Sequence, residues 1–391
     1  MSGVNTGPTT SLPGIDAHPH ARAVLMPVLG LDGMPARSPA LPPSHAYLFH
    51  GPSGTGKRTV ARAFAAALLI DGARDPSAVG ERVARDTHPD LTWVRPSGAA
   101  EMLVSDIEEA VVAAAARTPF ESARRVFVIE GADRMNDQAA NRMLKTLEEP
   151  PSFVHLVLIT DRREDVLPTI ASRCQGVRFD PLPPARIAAR LEGLEPARSQ
   201  ACARLALGDA RLAARLASEE GRALRTCAES FVRSGMNEES SERRWIGLLD
   251  LGKTAGEAAG EQAHARLEEE LELVPSKERK RYEREGADAR RRIERRARTQ
   301  ALDLTLRLAE LWLRDVLCVS EGAPELIYAV DREAELEHDA QGREGPRLRE
   351  AVELVADTRL RLGQNVSEEL ALEALAYRLE AAIGPRLGSK P

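Results

Sequence analysis

The chain has 391 residues, 43% hydrophobic and 29% charged, with a formal net charge of −6. That length suffices for two or three domains with cores of their own, and the acidic balance excludes a protein drawn onto nucleic acid by bulk charge, so any DNA contact must be local or shared with partner subunits. No stretch approaches the ~20 apolar residues of a membrane span, the first residues lack a basic-then-apolar leader, and four scattered cysteines (Cys174, Cys202, Cys227, Cys318) argue against zinc and fit a reducing cytoplasm.

Residues 1–20 are rich in Gly, Pro, Ser and Thr and read as disordered. A second loose stretch, 33–44, carries four prolines. An apolar strand is expected at Ala46–His50, then a glycine-rich loop, then a helix from about Arg58 whose apolar stripe is Val60, Phe64, Ala67 and Leu68. Further strands are expected at Leu91–Arg95, Val126–Glu130 and Val154–Thr160, with helical stretches between them. Alternation of this kind implies a parallel sheet covered by helices on both faces.

After Phe179 the pattern is helical only. Asp180-Pro-Leu-Pro-Pro184 reads as a linker and a short helical unit runs to about Arg225. The segment 301–318 is apolar nearly all round and should be buried among other helices. Asn365-Val-Ser-Glu368 reads as a capping box that opens the last helix, whose apolar face is Leu372, Leu375, Ala376, Leu379, Ala382 and Ile383. Residues 277–298 are dense in Arg, Lys and Glu. They read as a solvated helical face or flexible insertion, with a DNA-contacting arm as the alternative.

The loop between the first strand and its helix fits G-x-x-x-x-G-K-[ST] at Gly51, Gly56 and Lys57. With Gly54, these glycines let successive N–H groups turn toward phosphate oxygens at a helix N-terminus, and Lys57 would reach the outer phosphates. The last position of the pattern should be a magnesium-holding hydroxyl, and it is Arg58. Thr59 projects about 100° further round the helix and is a poor substitute. Binding of ATP or ADP is therefore left open. A hydrolysing phosphate-loop protein ends its third strand with Asp-Glu, the first acid holding magnesium and the second polarising water. Here Glu130 and Gly131 occupy those places. Approach of Glu130 to a metal is left open, Gly131 cannot orient water, and Asp133 lies three residues beyond the strand.

Several strings then resemble the clamp-loader subunits of bacterial DNA polymerase III, members of the AAA+ family. They are Ala132–Asn136, Leu144-Lys-Thr-Leu-Glu-Glu-Pro-Pro151, Ser172-Arg-Cys174, His45–Phe49, His88-Pro-Asp90 and Gly208–Arg211. The resemblance is strong over 44–215 and weak beyond. The degenerate acid motif is similar to the delta-prime type and not to the ATP-hydrolysing gamma/tau type.

That resemblance implies an α/β AAA+ phosphate-loop domain over 21–180, a helical lid over 181–225 and an all-α collar for oligomerisation over 226–391. It implies Arg173 as an arginine finger offered in trans to a neighbour's ATP. Thr160 would be a first sensor or a satisfied strand-end hydroxyl, and Arg211 carries the same ambiguity as a second sensor. The implied partners are gamma/tau and delta subunits, with the sliding clamp and primed DNA reached through the complex and no membrane. The implied role is architectural, within the DNA polymerase (nucleotidyltransferase) holoenzyme in the cytoplasm. An active gamma/tau-type ATPase and a stand-alone DNA-binding factor are the alternatives. Relatives commonly carry a four-cysteine zinc module after the first helix. Residues 70–87 contain no cysteine, so no zinc is expected.

Overall fold

The computed structural model describes residues 12–30, 42–71, 73–96, 102–236, 243–273, 275, 279–364 and 366–384. They form two compact units, one of residues 1–183 with 208–210, the other of residues 184–207 with 211–391.

The first unit is built on five strands: β1 (Ala46–His50), β2 (Leu91–Val94), β3 (Arg125–Glu130), β4 (Val154–Thr160) and β5 (Gln175–Arg178). All are parallel, in the order β2-β3-β4-β1-β5. Every residue of β1 and β4 is buried, as expected of central strands covered on both faces. Successive side chains alternate between two cores. Tyr47, Phe49, Val157 and Ile159 pack with Phe64 and Leu68 of the helix Lys57–Ile70. Leu48, Leu156 and Leu158 pack with Met143 and Ile170 on the opposite face. Because the strands are parallel, the ends of β1, β3 and β4 open on one edge, and ligands of such sheets gather there.

The edge strand β5 was not expected. It has four residues and one buried apolar side chain, Val177, so it leaves little pattern to read. The expectation of disorder over 1–20 also needs correction for residues 12–20. Leu12 and Ile15 are buried in the first core, together with Ala21 and Leu25 of the helix Pro19–Val28. Burial of those apolar groups offsets the chain entropy that the flanking Gly and Pro suggested would win.

The His88-Pro-Asp90 string has a structural role. Asp90 is fully buried. Its carboxylate accepts the backbone N–H groups of Phe120 (2.5 Å), Glu121 (2.9 Å) and Ser122 (2.9 Å), which ties down the loop entering β3. Asp90→Ala strands three donors and is expected to cost on the order of 3–5 kcal/mol, read as a lowered urea midpoint. A midpoint unchanged within error would contradict this role.

The second unit is helical. A single core joins Leu205 and Leu216 to Leu306, Leu313 and Leu375. The expected lid–collar boundary at 225/226 falls inside the helix Glu219–Met236, where Leu224, Ala228 and Val232 continue one buried stripe. Residues 184–207 and 211–225 therefore pack as part of the same body as 226–391, and only 208–210 return to the first unit. The apolar segment 301–318 is the buried half of a 42-residue helix, Arg279–Ser320. That helix packs against Ile246–Leu273. The last helix is capped by Ser367, which accepts the N–H of Leu370. Asn365, expected to open the capping box, lies outside the described residues.

Candidate functional site

The loop after β1 takes the expected form. Gly51, Gly54 and Gly56 have φ of 139°, 67° and 94°, a region that L side chains rarely adopt. At two of them a side chain would also collide, with backbone at Gly51 and with a side-chain carboxylate at Gly54. A Cβ on Gly51 would lie 2.0 Å from the Phe179 carbonyl oxygen, and one on Gly54 would lie 1.6 Å from Asp209 Oδ1. Thr55 Oγ1 donates to the Pro52 carbonyl, and the Thr55 carbonyl accepts a bond from His18 Nε2 at 2.8 Å.

Lys57 is turned inward. Its Nζ donates to the carbonyls of Gly51 (2.5 Å) and Pro52 (2.6 Å) and pairs with Asp161 Oδ1 at 2.7 Å. Burial pulls this ammonium below its ordinary pKa, and the Asp161 carboxylate opposes that shift, aided by Asp209. The loop's lysine is thus matched by acids of its own chain, on the side where phosphates would bring negative charge. Neither Asp161 nor Asp209 belongs to the phosphate-loop pattern, and sequence reasoning missed both. Each comes from a loop distant in the chain.

Arg58 does more than remove a hydroxyl. Its Nη2 pairs with Glu130 Oε2 at 2.5 Å. Glu130 is 5% exposed, and its other oxygen accepts the indole N–H of Trp93 at 2.6 Å. The residue in the hydroxyl's place and the first acid of β3, read from the sequence as two separate losses, are one ion pair. Gly131 follows at φ 73° and donates its N–H to the Ile159 carbonyl at 2.8 Å. A glutamate there would be strained as well as misdirected. Thr59 is exposed on the first turn of the helix.

Thr160, at the end of β4, is buried. Its hydroxyl donates to Asp133 Oδ1 at 2.7 Å and accepts the N–H of Arg162 at 2.9 Å. The hydroxyl is thereby engaged between the ends of β3 and β4. Arg211 lies on the helix Ala210–Ala217, exposed, in the second unit.

Arg173 lies elsewhere in the first unit, just past the short helix Pro168–Ala171. Nη1 donates to the Thr169 carbonyl at 2.9 Å, and Nη2 meets Glu148 Oε1 at 2.5 Å. Its side chain is 36% exposed, as expected for a group at a helix end. It borders an open cleft of about 440 Å³, lined also by Ser44, His45, Pro150 and Cys174. Burial pushes the Cys174 thiol up to about 12, so it is an inert packing group. Glu148, from the Leu-Glu-Glu-Pro-Pro string, is the partner that sequence spacing did not reveal.

His50, the last residue of β1, accepts a bond from Arg163 Nη1 at 3.3 Å. Burial lowers it to about 4, with Arg163 and His20 adding to the shift. Burial lowers His155 on β4 to about 4 as well. Unfolded histidines titrate near 6.5, so between pH 6.5 and 4 the unfolded chain binds more protons and stability falls as the pH drops. From pH 7 to 5 the loss should be on the order of 2 kcal/mol for each histidine. Urea midpoints at the two pH values check this, and a flat profile would contradict it.

No group of three or more His, Cys, Asp or Glu side chains placed to hold a metal occurs among the described residues. No described helix is long and apolar enough to cross a membrane.

Residues 42–183 match the family model described as DNA polymerase III, delta subunit. The DNA polymerase III subunit delta' of Bacillus subtilis is 38% identical over 154 residues, which is 38% of this chain and 46% of that protein. The delta' subunit of Pseudomonas aeruginosa is 40% identical over 156 residues, 39% of this chain and 47% of that protein. The gamma/tau subunit of Mycobacterium tuberculosis is 35% identical over 153 residues, 38% of this chain and 26% of that protein. The resemblance to clamp-loader subunits of the delta-prime type is thereby borne out over the sheet unit. The chain spans about half the length of the delta' relatives it matches.

Proposed function

We propose that this chain is the delta-prime-type subunit of a bacterial clamp loader and works without hydrolysing ATP itself. The observation that carries the reading is the Arg58–Glu130 pair. It sets a guanidinium where a magnesium ion would be held between a hydroxyl and an acid. A gamma/tau-type motor needs that place open, so the similarity to delta' relatives is preferred over the similarity to gamma/tau.

In this reading the helical second unit serves as the collar that joins gamma/tau and delta subunits. The sheet unit presents Arg173 to the ATP of the adjacent subunit. The guanidinium fork would stabilise charge on the transferred phosphoryl group there, and the clamp and primed DNA are reached through the complex. Lys57 holds Asp161 in place of a phosphate, so ATP or ADP would have to displace an internal ion pair to enter. The chain would then be an architectural part of the polymerase holoenzyme in the cytoplasm.

Co-purification with gamma/tau and delta subunits tests the assignment. The chain is expected to co-elute with both on size exclusion, with and without ATP, and to be required for placing the clamp on primed DNA. A chain that stays monomeric in their presence would overturn it.

A further inference from the structure

The basic run on the helix Arg279–Ser320 takes no part in the reading above. Between Arg279 and Arg298, ten basic residues stand against four acidic ones, a net of +6 in a chain whose total is −6. The helix packed against it, Ile246–Leu273, has seven acidic residues and two basic ones. The two helices thus separate charge between them.

If that separation served only to zip the helices together, the arginines would be taken up in ion pairs. Some are, but two of them do not pair with that helix. Arg290 meets Glu294 of its own helix at 2.7 Å and Arg298 reaches Glu368 of the last helix at 2.5 Å. Glu294 lies against Gly256 and Gly260, which places it on the packed side. Lys280, Arg284, Arg291, Arg292 and Arg296 are instead exposed, and among the described residues none of them has an ion-pair partner. Arg292 and Arg296 stand one turn apart, where like charges repel and weaken a helix. An anion lying along the ridge would relieve that repulsion.

We infer that this ridge binds the phosphate backbone of double-stranded nucleic acid. Arg296 lies twelve residues beyond Arg284, about 18 Å at ~1.5 Å per residue. A duplex carries one charge per ~1.7 Å, so about ten phosphates pass along that length. A single strand is a poorer fit. Proteins that hold single strands stack bases on aromatic rings, and the ridge has one exposed aromatic, Tyr282. A membrane surface fits poorly as well, since among the described residues of this run just two large apolar side chains, Tyr282 and Ile293, are exposed. Arginine forks engage phosphate oxygens in pairs and read no sequence, so the contact would be indifferent to base order. The inference goes beyond the clamp-loader reading, and its test separates the two.

The test uses the full chain and a fluorescein-labelled 30-base-pair duplex, titrated from 20 to 200 mM salt. The variant combines Arg284→Gln, Arg291→Gln, Arg292→Gln and Arg296→Gln. A control removes the same charge from exposed positions elsewhere, through Arg117→Gln, Arg190→Gln, Arg222→Gln and Arg378→Gln. Wild type and control should bind duplex with steep salt dependence. The ridge variant should show a log–log slope shallower by about 3.6, from four lost contacts at ~0.9 each. Between 50 and 200 mM salt, wild type should then lose on the order of 10² more affinity than the variant. Unchanged far-UV circular dichroism and unchanged co-elution with partner subunits would confine the effect to the ridge. Three results would overturn the inference: no duplex binding by wild type at 20 mM salt, an equal slope in the ridge variant, or loss of partner co-elution in the ridge variant, which would reassign the ridge to an acidic protein surface. Failure of wild type to co-elute with partners would sink the clamp-loader reading and leave the duplex measurement standing.

Discussion

Arg173→Ala should sharply reduce ATP hydrolysis by the assembled complex while leaving the assembly intact. The residue is a third exposed, sits past a four-residue helix and touches Glu148 and the Thr169 carbonyl within its own chain. Its removal opens no core cavity, and Glu148, itself half-exposed, regains water, so folding should change little. At the neighbour's site the loss is of another kind. A finger supplied in trans contributes on the order of 10³–10⁵ in rate at one site. The drop seen for the whole complex is smaller if the sites fire independently and approaches that range if they fire in concert. Arg173→Lys should not rescue it, because an ammonium lacks the planar fork that spans two phosphate oxygens. The check is DNA- and clamp-stimulated ATPase of complexes reconstituted with each variant. An Arg173→Lys complex with full activity would mean that bare positive charge suffices and that the fork is irrelevant.

The isolated chain, by contrast, should release no measurable phosphate, with or without DNA. A magnesium ligand and a water-orienting acid each contribute on the order of 10²–10³ in rate. Arg58 replaces the first and Gly131 the second. The pairing of Arg58 with Glu130 makes a single reversion ineffective. Arg58→Thr would restore a hydroxyl and free Glu130, yet water would remain unactivated, and a side chain at position 131 meets Pro96 and Arg134 from a left-handed backbone. A phosphate-release assay on wild type and Arg58→Thr decides this. Turnover near one per second that disappears in Lys57→Met would contradict the account.

What the sequence made legible follows from where its signals are local. The glycine loop, β1, β3 and β4 are contiguous strings, and their apolar runs are long enough to mark central strands. Ser172-Arg173-Cys174 is equally contiguous, and it carried part of the family resemblance. The relations that give the site its chemistry are not local. Arg58 finds Glu130, Lys57 finds Asp161 and Arg173 finds Glu148 only once the strands are set side by side. No spacing rule connects such pairs, because the sheet order fixes them and not the chain order. The N-terminal segment misled for a compositional reason. Leu12 and Ile15 are few among the Gly, Pro, Ser and Thr of residues 1–20, yet both are buried. The lid boundary misled because a prolyl linker at 180–184 marks a real change of unit, whereas nothing comparable exists at 225, inside a helix with an unbroken buried stripe.

The central claim is that this chain contributes a finger and no working site of its own. The most direct test compares two substitutions of this chain in the same reconstituted complex. Lys57→Met disables its own phosphate loop and Arg173→Ala removes the group proposed to serve the neighbour. Both complexes are first shown to be fully assembled, and ATP hydrolysis is then measured with clamp and primed DNA present. The account predicts the wild-type rate with Lys57→Met and a rate reduced at least tenfold with Arg173→Ala, the damped form of a single-site loss on the order of 10³–10⁵. The reverse pattern, in which Lys57→Met abolishes hydrolysis and Arg173→Ala leaves it unchanged, would make this chain a motor subunit and contradict the account.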